Sequence, residues 1–362
     1  MKERWTKEQA NAWYAKQGWL RGCNFIGSDC ANRIDQWQSY GREERMRTAE
    51  REMQLCEEIG FNTIRMIVEF DVWYQEHDAF MEALEQYVSM ANRHGLSVML
   101  VLAHEAQICR GETYVFKPLG EQKFALGYHQ GRLPLSPEEA QKTPYHALER
   151  LETRDAYLNM VREIVGKYAQ DSRILCWNVY NEPGIAIRER AVPLLDMLFE
   201  AVRSQDPMQP LAADVWRSVK DGRPSTLAEQ RALDLSDVIS FHSYTPYEHM
   251  VPQLEMLQAY GRPILMTEWL NRINHSDVRE LYPLFYLEHV GCYCWGFVVG
   301  KTQTQEPWET LWDQYAKDPE HAHYDFTKWQ HDLFRPNLRP YDPGEIELIR
   351  AYNARASLRE KK

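Results

Sequence analysis

Short apolar segments alternate with longer amphipathic segments along most of the chain. The short segments are rich in β-branched and other apolar side chains, which is typical of strands buried on both faces. Eight strands are predicted on this basis, at residues 22–27, 62–69, 97–104, 174–180, 211–214, 238–244, 263–268 and 292–299. Apolar residues at helical spacing predict helices between them, at residues 44–59, 79–94, 154–168 and 192–203, and a last helix at 345–356.

An eightfold alternation of strand and helix predicts an α/β fold, a (β/α)8 TIM barrel. The barrel core is expected at about residues 20–300, followed by a C-terminal extension over residues 301–362 that includes the last helix. No linker rich in Gly, Pro or Ser separates these parts, so we predict a single domain over residues 1–362.

The third strand–helix repeat is much longer than the others. Its strand starts near residue 97, and the next strand starts about 77 residues later, whereas a typical barrel of about 250 residues has roughly 31 residues in each repeat. The excess falls in residues 106–150, which contain many Gly, Pro and aromatic residues and no sustained periodicity. Because loops that follow the strands lie at the catalytic face of such a barrel, this long loop is predicted to form one wall of the site. The alternative is an excursion over the surface.

The charge of the chain limits its partners. The 362 residues include 42 Lys and Arg and 53 Asp and Glu, which gives a formal net charge of −11. No segment gathers enough basic residues to neutralise a nucleic-acid backbone or an anionic membrane surface, so we expect neither as a partner. The first twenty residues lack the apolar run of a signal peptide. A cytoplasmic location is therefore expected, unless a leader has been removed.

Neither the cysteines nor the histidines have the spacing of a metal-ligand set. Seven cysteines are an odd number, and several lie inside predicted strands, which favours reduced and buried thiols. Cys292 and Cys294 are close together, but no second pair completes a four-ligand zinc set. No metal and no cofactor are expected.

Polar residues interrupt the apolar pattern where the predicted strands end. They are His104, Asn181 with Glu182, His242 with Tyr244, and Glu268. Because parallel strands of a barrel end at one rim, Glu182 and Glu268 are predicted to face each other there. Two carboxyl groups across a cleft are the minimum for cleaving a glycosidic bond, since one protonates the leaving oxygen and the other attacks or stabilises the anomeric carbon.

Two of these strand ends also resemble a known family. Residues 177–183 (Trp-Asn-Val-Tyr-Asn-Glu-Pro) and residues 264–269 (Ile-Leu-Met-Thr-Glu-Trp) resemble the acid/base and nucleophile segments of the retaining β-glycosidases of clan A. The resemblance is closest to the cellulase-like glycoside hydrolase family 5, and it extends from about Leu20 to Gly300.

The resemblance implies a role for each matching residue. Glu268 would be the nucleophile and Glu182 the acid/base, and Arg65 and Tyr244 would hold Glu268 ionised. Asn181 would donate to the sugar 2-hydroxyl, and Trp295 would supply a floor on which the sugar stacks. Substrate-binding and supporting residues are predicted to be Arg65, His104, Asn181, His242, Tyr244 and Trp295, together with the rim residues Trp37 and Trp269.

These residues predict a retaining β-glycoside hydrolase that works through a covalent glycosyl-enzyme intermediate. The expected partner is a β-linked gluco-, manno- or xylo-configured oligosaccharide, cleaved from the chain end because aromatic residues of the long loop would close the cleft. The alternatives are an endo-acting β-1,4-glycanase of the cellulase, mannanase or xylanase type, and a catalytically silent carbohydrate-binding barrel. A metal-dependent barrel hydrolase would need a His-x-His pair on the first strand, where this chain has Asn24. The sequence gives no indication of oligomeric state.

Overall fold

The eight predicted strands form one closed parallel barrel in the computed structural model. The structure describes residues 3–105, 109–111, 113–131, 138, 141–217, 224–320 and 323–360. The strands are β1 (Arg21–Asn24), β2 (Thr63–Ile67), β3 (Ser97–Val101), β4 (Ile174–Tyr180), β5 (Leu211–Val215), β6 (Ile239–His242), β7 (Ile264–Trp269) and β8 (Gly291–Cys294). Each strand pairs with its neighbour in the sequence, and β1 pairs with β8 to close the barrel. The predicted (β/α)8 fold is confirmed.

Helices cover the outside of the barrel. The helices that follow the strands are Arg42–Glu58, His77–Arg93, Leu151–Tyr168, Ala191–Arg203, Leu227–Leu235, Tyr247–Gln258, Val278–Leu287 and Pro343–Glu360, with the shorter Arg33–Trp37, Phe70–Gln75, Tyr128–Gly131 and Glu309–Lys317 among the loops. A helix that the periodicity missed, Lys7–Gln17, precedes β1 and begins at a capping box of Thr6 and Gln9. No helix in the described part of the chain has the length and apolarity needed to cross a membrane.

The C-terminal segment is part of the barrel, which corrects the predicted division at residue 300. Helix Pro343–Glu360 is the eighth barrel helix: the Asn353 amide donates to the backbone oxygen of Ile59, 2.7 Å away, and accepts the hydroxyl of Tyr282 at 2.6 Å. It therefore lies between the helices that follow β1 and β7. Residues 295–320 and 323–342 belong to the connection from β8 to this helix, so they lie at the catalytic face and do not form an extension.

The long loop after β3 packs on the barrel where the structure describes it. Cys109–Arg110 pairs with Pro144–Tyr145 at its base. The rings of Tyr114 and Phe116 lie 6.0 and 6.1 Å from Phe70, just beyond β2. The loop thus stands over the carboxyl ends of β2 and β3.

The barrel interior changes from apolar to polar along the strands. Near the amino ends it is filled by Met99, Leu175, Cys176, Ala212, Leu265 and Tyr293. Near the carboxyl ends it holds buried polar side chains instead, namely Asn24, Arg65, Asn178, Asp214, Ser240 and Thr267. Because a buried polar group must be hydrogen-bonded or paired, this upper layer forms a network whose geometry is fixed by the strands.

A buried carboxyl group outside this layer makes the stability of the protein depend on pH. Glu52, on helix Arg42–Glu58, is 1% exposed and accepts from the Ser28 backbone N–H at 3.2 Å. Burial raises the pKa of Glu52 from 4.5 to about 7, against the hydrogen bonds from Ser28. Between about pH 4.5 and 7, the folded state therefore keeps a proton on Glu52 that the unfolded state has released. For this reason the free energy of unfolding falls as pH rises through this range.

We expect Glu52→Gln to reduce this pH dependence, because a neutral amide can occupy the same place at every pH. The difference in Tm between pH 5 and pH 8 should be smaller in the variant than in the parent protein. Glu58→Gln on the exposed side of the same helix is the control and should leave the difference unchanged. A difference in Tm between pH 5 and pH 8 that is as large in Glu52→Gln as in the parent protein would contradict the prediction.

Candidate active site

Arg65 on β2 joins the polar groups at the carboxyl ends of the strands. Its side chain is fully buried. One terminal nitrogen, Nη1, donates to Asn24 Oδ1 at 2.7 Å and to Glu268 Oε1 at 3.0 Å. The other, Nη2, donates to Asn181 Oδ1 at 2.7 Å and to Asp214 Oδ2 at 3.0 Å. The guanidinium group therefore fixes side chains from four other strands or strand ends.

Glu268 lies near the end of β7 with both carboxylate oxygens held. Arg65 binds Oε1, and the Tyr244 hydroxyl donates to Oε2 at 2.7 Å. The His242 Nδ1 atom is 3.5 Å from the same Oε2. Burial raises the pKa of Glu268, while the positive charges of His242 and Arg65 favour its ionised form. A carboxylate that is held at both oxygens and flanked by two cations is oriented for attack on an electrophile above it.

Glu182 lies directly after β4 and contacts the same nitrogen of His242 as Glu268 does. Its Oε1 atom is 2.9 Å from His242 Nδ1, and its side chain is 19% exposed. The backbone of Glu182 has a φ of 47°, in the left-handed region that few non-glycine residues adopt. One ligand atom from each of Glu182, His242 and Glu268 lies within 4.8 Å of the others. The two carboxyl groups are therefore close neighbours, and both face the Nδ1 atom of His242.

Asp214 on β5 is a residue of this network that the sequence analysis missed. It is fully buried and accepts from Asn178 Nδ2 at 2.7 Å and from the hydroxyl of Ser240. Its Oδ2 is 3.4 Å from His242 Nε2. Burial alone would raise the pKa of Asp214, but His242 and Arg65 outweigh burial and lower it. In the sequence, this residue could have been noticed only as a single acid at the end of the predicted strand 211–214.

His242 carries a positive charge in this environment. Burial by itself would lower the pKa of His242, but the carboxylates of Glu268 and Asp214 raise it to about 10. At neutral pH the imidazolium can therefore donate to Glu182 while it attracts Glu268.

His104 and Trp295 also lie at this rim. His104 is 4% exposed, and among the described residues its Nδ1 atom has no hydrogen-bond partner. Burial lowers its pKa, with a further contribution from the positive charges of Arg33 and Lys117, so the imidazole is neutral. Trp295 follows β8, is partly exposed and lines the cavity described next.

A cavity of about 310 Å³ opens beside Arg65 and Trp295. Its wall comes from the loops after β1, β3 and β8, and its polar lining residues are Asn24, Asn32, Arg33, Gln36, Arg65, Glu69, Lys117, His129, Thr302, Thr304 and Asp332. Aromatic rings from three loops meet near Tyr244: Trp308 lies 5.0 Å and His331 5.4 Å from it, and Tyr128 lies 6.2 Å from Trp308. The loops after β3 and β8 thus add lining residues and aromatic rings to the site formed at the strand ends.

Two predicted binding residues lie elsewhere, and these predictions were wrong. Trp37 is fully buried, packs 5.4 Å from Phe80 and donates its indole N–H to the backbone oxygen of Ile67 at 2.8 Å. Trp269 is 1% exposed and packs against Phe285 at 5.2 Å. Trp269 follows the inward-facing Glu268, so the alternation of side chains along a strand turns it outward onto the helices.

Within the described residues, the group Glu182, His242 and Glu268 has ligand atoms close enough to hold a metal ion. The surrounding charges do not suit a divalent cation, because the Arg65 guanidinium already lies 3.0 Å from Glu268 and His242 is itself cationic. The arrangement instead suits proton transfer and nucleophilic attack.

The comparison with known families identifies the chain. The family model described as Cellulase (glycosyl hydrolase family 5) matches residues 21–316. The chain belongs to glycosyl hydrolase family 5. The family 5 resemblance seen in the sequence is confirmed, and the chain is a glycosidase. No curated protein matches it significantly in sequence.

Solved family 5 structures share this fold at low sequence identity. A glycoside hydrolase family 5 mannosidase from Rhizomucor miehei is 14% identical, with a TM-score of 0.58 and coverage of 95% of this chain and 94% of that chain. An endo-1,4-β-D-mannanase from Thermotoga petrophila is 15% identical, with a TM-score of 0.54 and coverage of 91% and 99%. A GH5_18 protein from Streptomyces cattleya in complex with GlcNAc is 14% identical, with a TM-score of 0.56 and coverage of 95% and 80%.

In this family 5 chain, Glu105 supports the turn that carries Glu182. Its buried carboxylate accepts from the backbone N–H groups of residues 184, 186 and 187, at 2.5, 2.6 and 3.0 Å, and from the Tyr180 hydroxyl at 3.0 Å. Four donors on one carboxylate fix the chain on both sides of Glu182. Because Glu182 has an unfavourable backbone conformation, its position depends on this support.

We expect Glu105→Ala to lower glycosidase activity by about tenfold or more, because a shift of the turn moves Glu182 without removing it. The variant should also be less stable by a few kcal/mol, since several buried donors lose their acceptor. Glu105→Gln keeps an acceptor oxygen and should retain more activity and stability than the alanine variant. Full activity in Glu105→Ala, measured at a temperature where it is folded, would contradict a positioning role.

Proposed function

We propose that this protein is a retaining, exo-acting β-glycosidase that cleaves short β-linked oligosaccharides through a covalent glycosyl-enzyme intermediate. The observation that carries the proposal is the pair Glu182 and Glu268, which share His242 Nδ1 and have ligand atoms within 4.8 Å of each other. Retaining glycosidases have carboxyl groups about 5–5.5 Å apart, whereas inverting enzymes need about 6.5–9.5 Å to admit a water molecule. The short separation supports retention.

The surroundings of the two carboxyl groups support different roles for them. Glu268 is buried and accepts from Arg65 and Tyr244, which stabilises the anion that attacks the anomeric carbon. Glu182 is partly exposed, and no arginine in the described part of the chain pairs with it, which suits a group that gives and takes a proton. In the first step Glu268 forms the ester while Glu182 protonates the leaving oxygen. In the second step Glu182 takes a proton from the water that hydrolyses the ester.

The remaining rim residues would orient the sugar. Asn181 uses its Oδ1 atom to accept from Arg65, which directs its amide N–H groups towards the cleft where a sugar 2-hydroxyl would lie. Trp295 offers a partly exposed ring beside Arg65 on which a sugar face can stack. Asp214 would keep His242 protonated, so that His242 maintains its contact with Glu182 through both steps.

Exo action is supported by residues 117–128 of the long loop, here called the bridging loop. On one side, the Gly120 backbone N–H donates to Gln38 at 2.7 Å, and Asn32 donates to Gln122 at 3.0 Å. On the other side, Gln303 donates to the Ala125 backbone oxygen at 2.7 Å. The bridging loop therefore joins the loops after β1 and β8 around the cavity. A cleft joined in this way ends in a pocket, which would stop a polysaccharide from passing through.

The substrate class rests on chemistry and on the structural neighbours. The site is built for a β-linked sugar of gluco, manno or xylo configuration, and the neighbours include a family 5 mannosidase and an endo-1,4-β-D-mannanase. β-Mannosides and β-glucosides are therefore the first substrates to test.

A panel of 4-nitrophenyl β-glycosides (glucoside, mannoside, xyloside, galactoside and cellobioside) tests the proposal, with Glu268→Ala protein as the blank. We expect nitrophenol release from a monosaccharide glycoside by the parent protein alone. The first-formed sugar should have the β configuration when followed by NMR. An α product would contradict retention, and binding of an oligosaccharide with no product from any substrate would favour a silent barrel.

A second comparison separates exo from endo action. Reduced oligosaccharides of two to four sugars should release single sugars from the non-reducing end, and the matching polymer should react more slowly. Faster cleavage of the polymer into mixed fragments would favour the endo-acting alternative.

A further inference from the structure

Two cations line the cavity beside Arg65 without a close ion pair. They are Arg33, from the loop after β1, and Lys117, from the bridging loop. Among the described residues, no carboxylate oxygen forms an ion pair with either side chain within 4.0 Å. Three more deeply buried arginines do have such a pair: Arg45 with Asp35, Arg203 with Asp237 and Arg272 with Glu345.

Two acids, Glu69 and Asp332, also line the cavity, and they offset the two cations incompletely. Glu69 is 1% exposed, and its carboxylate accepts a weak bond from the Asp71 backbone N–H at 3.3 Å. Burial raises the pKa of Glu69 to about 7, although Lys117 and Arg33 oppose the shift, and burial raises the pKa of Asp332 to about 7 as well. At neutral pH both acids are therefore only partly ionised, whereas Arg33 and Lys117 are cations.

The position of the cavity assigns it to one side of the cleaved bond. It opens beside Asn24, Arg65 and Trp295, on the side of Glu268. Neither carboxyl group lines it, but Arg65, which does, is hydrogen-bonded to Glu268. Trp295, on which the sugar attacked by Glu268 would stack, lines it too, so the cavity adjoins the place of that sugar and can hold a substituent of it.

A partly buried cation without a partner costs free energy, and a ligand that supplies an anion recovers it. An arginine is the side chain best suited to such an anion, since its planar fork binds a carboxylate or a phosphate with two hydrogen bonds. A neutral sugar hydroxyl would leave both charges unbalanced.

We propose that the cavity of Arg33 and Lys117 accepts an anionic substituent on the sugar attacked by Glu268, so that the preferred substrate is an acidic β-glycoside. The shared chemistry is a compact oxyanion, either the carboxylate of a uronic acid or a phosphate ester on the sugar. The inference rests on the proposed glycosidase function and specifies its substrate class.

Matched pairs of substrates test this inference. They are 4-nitrophenyl β-glucuronide against β-glucoside, and β-mannuronide against β-mannoside, with 4-nitrophenyl 6-phospho-β-glucoside as the phosphate arm. We expect kcat/KM for one acidic substrate to exceed that of its neutral partner by at least about tenfold, the effect of one charge-assisted hydrogen bond. The arm that shows the preference identifies the anion as a carboxylate or a phosphate.

Variants connect the preference to the two cations. Arg33→Met should lower the ratio of acidic to neutral kcat/KM by at least about tenfold, and Lys117→Met should lower it in the same direction. Arg33→Lys keeps the charge but loses the planar guanidinium group that can form two parallel hydrogen bonds. Its ratio of acidic to neutral kcat/KM should therefore lie between that of Arg33→Met and that of the parent protein. Arg47→Met, which removes an arginine 72% exposed on helix Arg42–Glu58, should leave the ratio unchanged.

Two outcomes would overturn the inference, and they differ from failure of the proposed function. The inference falls if only neutral glycosides are hydrolysed, or if Arg33→Met lowers both members of a pair equally, as expected of an arginine that binds hydroxyls. The proposed function falls if no glycoside reacts. Calorimetry with Glu268→Ala protein then decides the inference: glucuronate or glucose 6-phosphate must bind more tightly than glucose, and Arg33→Met in that protein must abolish the difference.

Discussion

Glu268→Ala should lower kcat by about 10⁴-fold or more on every glycoside that the protein hydrolyses, because loss of a nucleophile removes the covalent route entirely. The Glu268 carboxylate also balances the charges of Arg65 and His242. The alanine variant therefore leaves these two buried cations without that carboxylate. Initial rates with an aryl glycoside, measured at a temperature where circular dichroism shows a folded protein, give the loss directly.

Azide adds a stereochemical test of the same residue. In Glu268→Ala the azide ion can occupy the space of the lost carboxylate. It would then attack the sugar from the face that Glu268 normally attacks, which gives an α-glycosyl azide. Tyr244→Phe is a matched control, because it removes one hydrogen bond to Glu268 and keeps the nucleophile. The control should lose activity without forming any azide product. A β-glycosyl azide from the Glu268 variant would reverse the assigned roles.

Glu182→Ala should lower kcat/KM by about 10²- to 10⁴-fold on substrates with poor leaving groups, the usual contribution of a general acid. Aryl glycosides with an acidic phenol such as 2,4-dinitrophenol need little protonation, so their first step should be affected much less. The glycosyl-enzyme should then accumulate, because no base remains to activate water. A burst of phenol followed by a slow steady state is the expected time course.

The leaving-group dependence distinguishes acid catalysis from a general loss of structure. Damage to the fold would lower activity on all substrates by the same factor. Azide should restore turnover in Glu182→Ala and give a β-glycosyl azide, since it attacks the intermediate from the face that water normally uses. Equal losses on good and poor leaving groups, with no rescue by azide, would contradict the assignment of Glu182.

The sequence alone determined the barrel and which polar residues meet at its rim. Strand and helix periodicity are local properties, so all eight strands were predicted close to their observed positions. In a parallel barrel the strands end at one rim, so polar residues at those ends had to meet. For this reason Glu182, His242, Tyr244 and Glu268 could be predicted before the fold was seen, whereas Arg65 came from the family resemblance. The structure brings all five into contact.

Only the tertiary structure decided which side chains turn inward and which charges find partners. Trp37 and Trp269 lie near the rim in sequence, but their rings face the helices, because orientation depends on strand pleat and packing. Asp214 became part of the site through contacts with four other strands, which no local pattern shows. The unpaired state of Arg33 depends on distances to acids far away in the chain. Long-range packing sets such distances, and so the specificity of the pocket belongs to the folded protein.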